Sequence, residues 1–149
     1  MQVCAVLNVP YDEFTKFIHK MIVQDIQAST QQEVAIDTIT PGYQYRKSIL
    51  NRMHKPEHVE VLIEQLEDGK YKAVFTSNQG TNSIQYTYVK KSEIETEVTY
   101  EEAYFGVTTS TEFSHKFFAF VSARGNKKRM KALLEKIETM ILQERKEGA

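Results

Sequence analysis

Asn126 to Gln143 reads NKKRMKALLEKIETMILQ, and the fold follows from what this stretch has to cover. Met130, Leu133, Leu134, Ile137 and Ile141 fall at i, i+3, i+4, i+7 and i+11, one face of a helix with a period of about 3.6 residues. Lys127, Lys128, Arg129, Lys131, Glu135, Lys136 and Glu138 occupy the other faces. A helix patterned this way must bury its stripe against another element.

The chain upstream supplies that element. From Tyr43 to about Phe105 the apolar period is close to two, the signature of strands with one dry face. Tyr43, Tyr45, Ile49 and Met53 alternate with Gln44, Arg46, Ser48 and Arg52. Val59, Val61 and Ile63 alternate with Glu60 and Glu64. Asp68-Gly69 is a hairpin turn, since Gly accepts the positive φ such turns require. Tyr71, Ala73 and Phe75 form the next inward face, and the polar run Ser77 to Asn82 is read as a turn. Ile84, Tyr86 and Tyr88 follow, then a turn over Lys90 to Glu93. Ile94, Val98, Tyr100 and Tyr104 close the series, with Glu95, Glu97 and Glu101 on the wet face. Short connections between five successive strands predict an antiparallel meander.

The N-terminus adds a strand and a helix. Gln2 to Asn8 has apolar side chains on both faces and is expected to be a doubly buried sixth strand. Pro10 is placed to start a helix, and Asp12 and Glu13 suit the positive end of its dipole. Phe14, Phe17, Ile18, Met21, Ile22 and Ile26 trace one face of a helix over about Tyr11 to Gln27. Thr30-Gln31-Gln32-Glu33 matches a capping box, which predicts a short second helix through about Asp37, ended by Pro41-Gly42. Near the C-terminus, Phe113, Phe117, Phe120 and Val121 have helical spacing that does not run in phase into the later stripe. Gly125 is therefore read as a kink or short break, with Asn126 as the N-cap of the final helix. The whole predicts one α+β domain over residues 1–149.

Composition narrows the function classes. With 149 residues, 41% hydrophobic and 26% charged, the chain has the make-up of a soluble globular protein. A net charge of −1 gives no pull toward nucleic acid or an anionic membrane. One cysteine, Cys4, cannot form an internal disulfide and fits a reducing compartment. No basic, apolar leader opens the sequence and no run is long enough to span a bilayer, so a cytoplasmic location is expected.

Pro41-Gly42-Tyr43-Gln44-Tyr45, Phe75-Thr76-Ser77-Asn78-Gln79-Gly80-Thr81-Asn82-Ser83-Ile84 and Lys127-Lys128-Arg129-Met130-Lys131 resemble a bacterial family of unknown function, domain family 3284. More broadly, the strand running into Asn8-Val9-Pro10-Tyr11-Asp12-Glu13-Phe14, the meander and the closing helix resemble the START-like (SRPBCC) superfamily. The resemblance implies a helix-grip fold: a curved six-stranded antiparallel sheet wrapped around a long C-terminal helix. It also implies the superfamily habit of enclosing an apolar ligand between sheet and helix. It brings no catalytic residue.

Candidate sites follow from the tyrosines. Tyr43, Tyr45, Phe75, Tyr86, Tyr88, Tyr100 and Phe117 would line a space under the last helix, offering apolar area with hydroxyls at the edge. Thr76, Arg46 and Ser77 are candidate polar anchors. The same rings would equally well fill a solid core. His54 and His58 are separated by Pro56, His19 and His115 lack neighbours at ligand spacing, and no metal or cofactor is expected. Lys127, Lys128, Arg129 and Lys131, with Lys116 and Arg124, read as a solvated face rather than a nucleic-acid surface. No nucleophile, phosphate-loop or dinucleotide motif is present. Three functions stay open: binding a small, partly apolar ligand, serving as a protein-interaction module with a filled core, or acting as a cavity enzyme of cyclase or hydrolase type. In the last two halves of the helix, a site is expected nearer the aromatic one, Phe113 to Val121.

Overall fold

The computed structural model describes residues 1–50, 55–78, 80–106 and 109–147, with side chains described for 1–49, 55–78, 80–104 and 127–147. Strand β1 (Gln2–Leu7) leads into helix α1 (Tyr11–Thr30) and a 3-10 turn (Ile36–Thr38). Strands β2 (Tyr43–Leu50), β3 (Pro56–Glu67), β4 (Lys70–Ser77), β5 (Gly80–Lys90) and β6 (Thr96–Gly106) follow, and helix α2 (Thr109–Glu147) closes the chain. The sheet order is β1-β6-β5-β4-β3-β2, with every neighbouring pair antiparallel. This is the helix-grip arrangement of meander, N-terminal strand and long final helix.

The inner face is the one the period of two selects. Val59, Val61, Ile63, Tyr71, Ala73, Tyr86, Tyr88, Val98 and Tyr100 are all buried. Register shifts between Ile63 and Gln65 of β3, so Leu66 again packs against the core opposite Tyr71. Helix α1 buries Phe14, Phe17, Ile18, Ile22 and Ile26 against this face, and α2 buries Met130, Leu134, Ile137 and Ile141. The two helices divide the sheet: α1 packs on β2, α2 on β1 and β6.

Six local expectations change. Strand β1 is buried on one face only: Val3, Ala5 and Leu7 face the core, while Cys4 and Val6 are exposed, because α2 covers one side of this edge strand. Thr30 ends α1 instead of capping a new helix. Its hydroxyl donates to the Ile26 carbonyl at 2.7 Å, and Gln31 turns left-handed at φ 61°. The short helix before β2 is the single 3-10 turn, a segment with no buried residue of its own to sustain more. The polar run after β4 is mostly strand: Gly80, Thr81 and Asn82 pair with Ser77, Thr76 and Phe75. Ile94 lies in the β5–β6 loop, 68% exposed, because β6 starts only at Thr96.

The sixth concerns Gly125. Helix α2 runs from Thr109 to Glu147 without a break. A helical Gly costs about 1 kcal/mol relative to Ala, a penalty that one residue in so long a helix absorbs. No helix among the described residues is long and apolar enough to cross a membrane.

Candidate functional site

Because α1 sits toward one sheet edge and α2 toward the other, a half-open hollow of about 590 Å³ remains between them, over the middle of the sheet. Its floor is Tyr71 and Phe75 of β4 with Ile84 and Tyr86 of β5. One wall is a stripe of α1: Phe17, Lys20, Met21, Gln24 and Ala28, at i, i+3, i+4, i+7 and i+11, with Ile22 and Asp25 beside it. The other wall is Leu133, Lys136, Ile137, Met140 and Glu144 of α2, at the same spacing. Lys47 of β2 also borders the space. The lining is mainly apolar, and its charges are those of Lys20, Asp25, Lys47, Lys136 and Glu144.

Tyr71 and Tyr86 stack at 6.1 Å between ring centroids, nearly parallel, and Tyr86 meets Tyr100 at 4.8 Å. As residues they are 5% and 3% exposed, yet neither the Tyr71 nor the Tyr86 hydroxyl makes a hydrogen bond among the described residues. Burial pushes both phenols above the ordinary tyrosine range; the neighbouring Tyr86 adds to the shift at Tyr71, and Glu102 adds to that at Tyr86.

The charged groups are arranged in pairs. Asp25 accepts the Tyr45 hydroxyl and lies 3.3 Å from Lys47 Nζ at each oxygen. The same ammonium stands 5.4 Å from the centroid of Phe75, a cation–π distance. Lys20 pairs with Glu144 at 2.9 Å, tying α1 to α2 beside the hollow. Lys136 makes no ion pair among the described residues.

The structure distributes the residues singled out from sequence. Phe75 and Tyr86 line the hollow. Tyr45 is buried beneath α1 with its hydroxyl engaged by Asp25, and Tyr43 packs against it at 6.3 Å. Tyr88 is core, edge-on to Phe14 at 4.7 Å, its hydroxyl 3.1 Å from that of Thr15. Tyr100 donates to Glu102 at 2.7 Å, and Glu102 in turn pairs with Arg129. Thr76, Arg46 and Ser77 are away from the hollow. They border a separate open depression with His58 and Glu60, where Arg46 is neutralised by Glu60. Phe117, like the aromatic half of α2 from Phe113 to Val121, lies outside the residues whose side chains are described.

Lys20, Met21, Asp25, Lys47, Lys136, Met140 and Glu144 border the hollow without any motif that marks them as site residues. One signal was available: they continue the flanks of the two apolar helix stripes, and Lys47 shares the inward phase of Tyr45. The described wall of the hollow belongs to the C-terminal half of α2, the half read from sequence as ordinary core. Among the described residues no three His, Cys, Asp or Glu side chains gather as a metal site.

Sheet and grip define the class: this is a protein of the helix-grip fold. Solved structures with this fold match nearly the whole chain. Ara h 8.0201 aligns with a TM-score of 0.59 at 9% identity, over 96% of this chain and 97% of its own. Norcoclaurine synthase from Thalictrum flavum, a point mutant in complex with a transition-state analogue, gives 0.61 at 7% identity, over 97% and 94%. A protein of unknown function from Staphylococcus aureus, SA2116, gives 0.60 at 13%, over 98% and 96%. The chain belongs to the family described as domain of unknown function DUF3284, whose model matches residues 1–122. No curated protein matches it.

Proposed function

We propose that this protein binds a small, partly apolar molecule in the hollow between α1, α2 and the β4–β5 floor. The observation that carries this reading is a mainly apolar space of about 590 Å³ whose floor includes two tyrosines with hydroxyls that have no hydrogen-bond partner among the described residues. A solid core would have closed over those rings or paired their oxygens. A ligand oxygen accepting from Tyr71 or Tyr86 would satisfy them, while Phe17, Met21, Ile84 and Ile137 supply contact area. A fold neighbour, norcoclaurine synthase, has been captured with a transition-state analogue, which is compatible with a ligand role for the fold. We place the protein in the cytoplasm, where the exposed Cys4 would stay reduced.

Native mass spectrometry of freshly purified protein tests the reading, with a thermal-shift screen of small amphiphiles beside it. A retained small mass, or a stabilising hit, is expected to disappear in Ala28→Trp, which places a large ring at the exposed edge of the hollow without disturbing a buried residue. No retained mass and no hit, or hits indifferent to Ala28→Trp, overturn it.

A further inference from the structure

Resting on the hollow as the binding site, we propose that its ligand is an anionic amphiphile whose carboxylate is received by Lys136 and Lys47. Three lysines border the space, one from each of three elements: Lys20 of α1, Lys47 of β2 and Lys136 of α2. Among the described residues only two carboxylates border it, Asp25 and Glu144. Glu144 is committed to Lys20 at 2.9 Å. Lys136 has no carboxylate among the described residues, so the described lining carries one surplus positive charge.

The position of that charge matters. Lys136 lies one turn from both Leu133 and Met140 and next to Ile137, so its stem belongs to the apolar wall and its ammonium to the rim. Lys47 is held loosely. Its contacts to Asp25 are both 3.3 Å, longer than usual for a charge-assisted bond, and its ammonium already stands over Phe75 of the floor. When Lys47 turns to a ligand, Asp25 keeps the Tyr45 hydroxyl as its donor. An apolar tail over Phe75 and Ile84 with a carboxylate between Lys47 and Lys136 therefore satisfies every charge at the site. A cationic head group would meet three ammonium groups and find both carboxylates occupied.

Isothermal titration of the full chain with octanoate, 1-octanol and n-octylammonium, matched in chain and different in charge, tests the assignment. The rim is open to water, so the discrimination is modest: octanoate is expected to bind about 5-fold tighter than octanol, and less so as salt rises. Lys136→Gln is expected to bring the octanoate-to-octanol ratio close to one, and Lys136→Glu to favour octylammonium. Lys47→Met, which keeps an apolar contact with Phe75, is expected to reduce the ratio independently. Thermal melts of each variant establish that it is folded. Octanol binding as tightly as octanoate, or a ratio unchanged in Lys136→Gln and Lys47→Met, overturns the anion assignment and leaves the hollow standing, provided Ala28→Trp still abolishes binding. Failure of all three probes to bind overturns the assignment together with the hollow.

Discussion

The Tyr45 hydroxyl of β2 donates to the Asp25 carboxylate of α1, fastening the first helix to the edge of the sheet. The pair joins a ring that is 7% exposed to a carboxylate whose side chain keeps 36% of its surface. Tyr45→Phe removes the donor and leaves Asp25 with Lys47 and water. Hydrogen bonds to charged groups contribute about 1.5–3 kcal/mol when well shielded. Partial solvation of Asp25 lowers the expected loss to about 1 kcal/mol, read as a lower urea midpoint with unchanged slope. Equal midpoints for the variant and wild type contradict the pairing.

The tyrosines also set an alkaline limit. Tyr11, Tyr45, Tyr71, Tyr86, Tyr88 and Tyr100 all have phenols pushed above the usual value, with burial the largest cause in each. Nearby carboxylates add to it, Asp25 at Tyr45 and Glu102 at Tyr100. The charged form of a phenol is the deprotonated one, so a raised folded-state value means the fold favours the proton. Below about pH 10 both states are protonated and the contribution is complete. Above it the unfolded chain releases protons that the folded chain retains, so stability falls as pH rises. Urea midpoints are expected to be set by other groups up to about pH 9 and to drop steeply beyond about pH 10. Phenolate absorbance should appear together with unfolding. Gradual ionisation of all six rings in the folded protein contradicts it.

The legible parts of this structure are those where one face meets water and the other does not. Val59, Val61 and Ile63 read correctly because polar neighbours flank them, and Met130, Leu134, Ile137 and Ile141 because a helix period repeats. The site was harder to see. Phe75, Tyr86, Tyr88 and Tyr100 have the same inward phase, and nothing in the sequence says that α1 covers Tyr88 while the gap between helices leaves Phe75 and Tyr86 beside open space. Lys47 and Asp25 meet across a sequence separation of 22 residues, a relation that no local pattern encodes. Thr30 misled for a local reason: its hydroxyl can cap a following helix or bond back to its own, and the αL residue Gln31 selects the second.

Gly69 carries the β3–β4 turn and admits no side chain. Its φ is +77°, and a Cβ there would sit 2.7 Å from the backbone oxygen of Tyr88 and 3.3 Å from the Tyr11 hydroxyl. The Tyr88 N–H donates to the Gly69 carbonyl at 2.9 Å, so the backbone cannot retreat without losing that bond. Gly69→Ala is expected to cost about 2 kcal/mol, from left-handed strain plus displacement of the strand. Gly42 is the control: φ is +100° but nothing lies within 4 Å of its Cβ position. Gly42→Ala should show a smaller fall in Tm, and the reverse order contradicts the close approach at Tyr88.

Leu133 and Leu134 separate the two duties of the final helix. Leu134 is fully buried at 0% exposure, whereas Leu133 is half-buried and borders the hollow. Leu134→Ala opens a void inside packed core and is expected to cost about 3 kcal/mol, within the range for buried leucines. Leu133→Ala widens a space that is already open, so its wall loses little packing and water or ligand can occupy the difference; about 1 kcal/mol is expected. The ligand readout runs the other way. Loss of contact area at Leu133 should weaken octanoate and octanol together, leaving their ratio near the wild-type value, because no charge is altered. Leu134→Ala should leave both affinities close to wild type once measured well below its lowered Tm. Equal stability losses for the two variants would place the hollow inside ordinary core. A change in the octanoate-to-octanol ratio at Leu133 would show that the selection attributed to Lys136 and Lys47 depends on wall shape rather than charge.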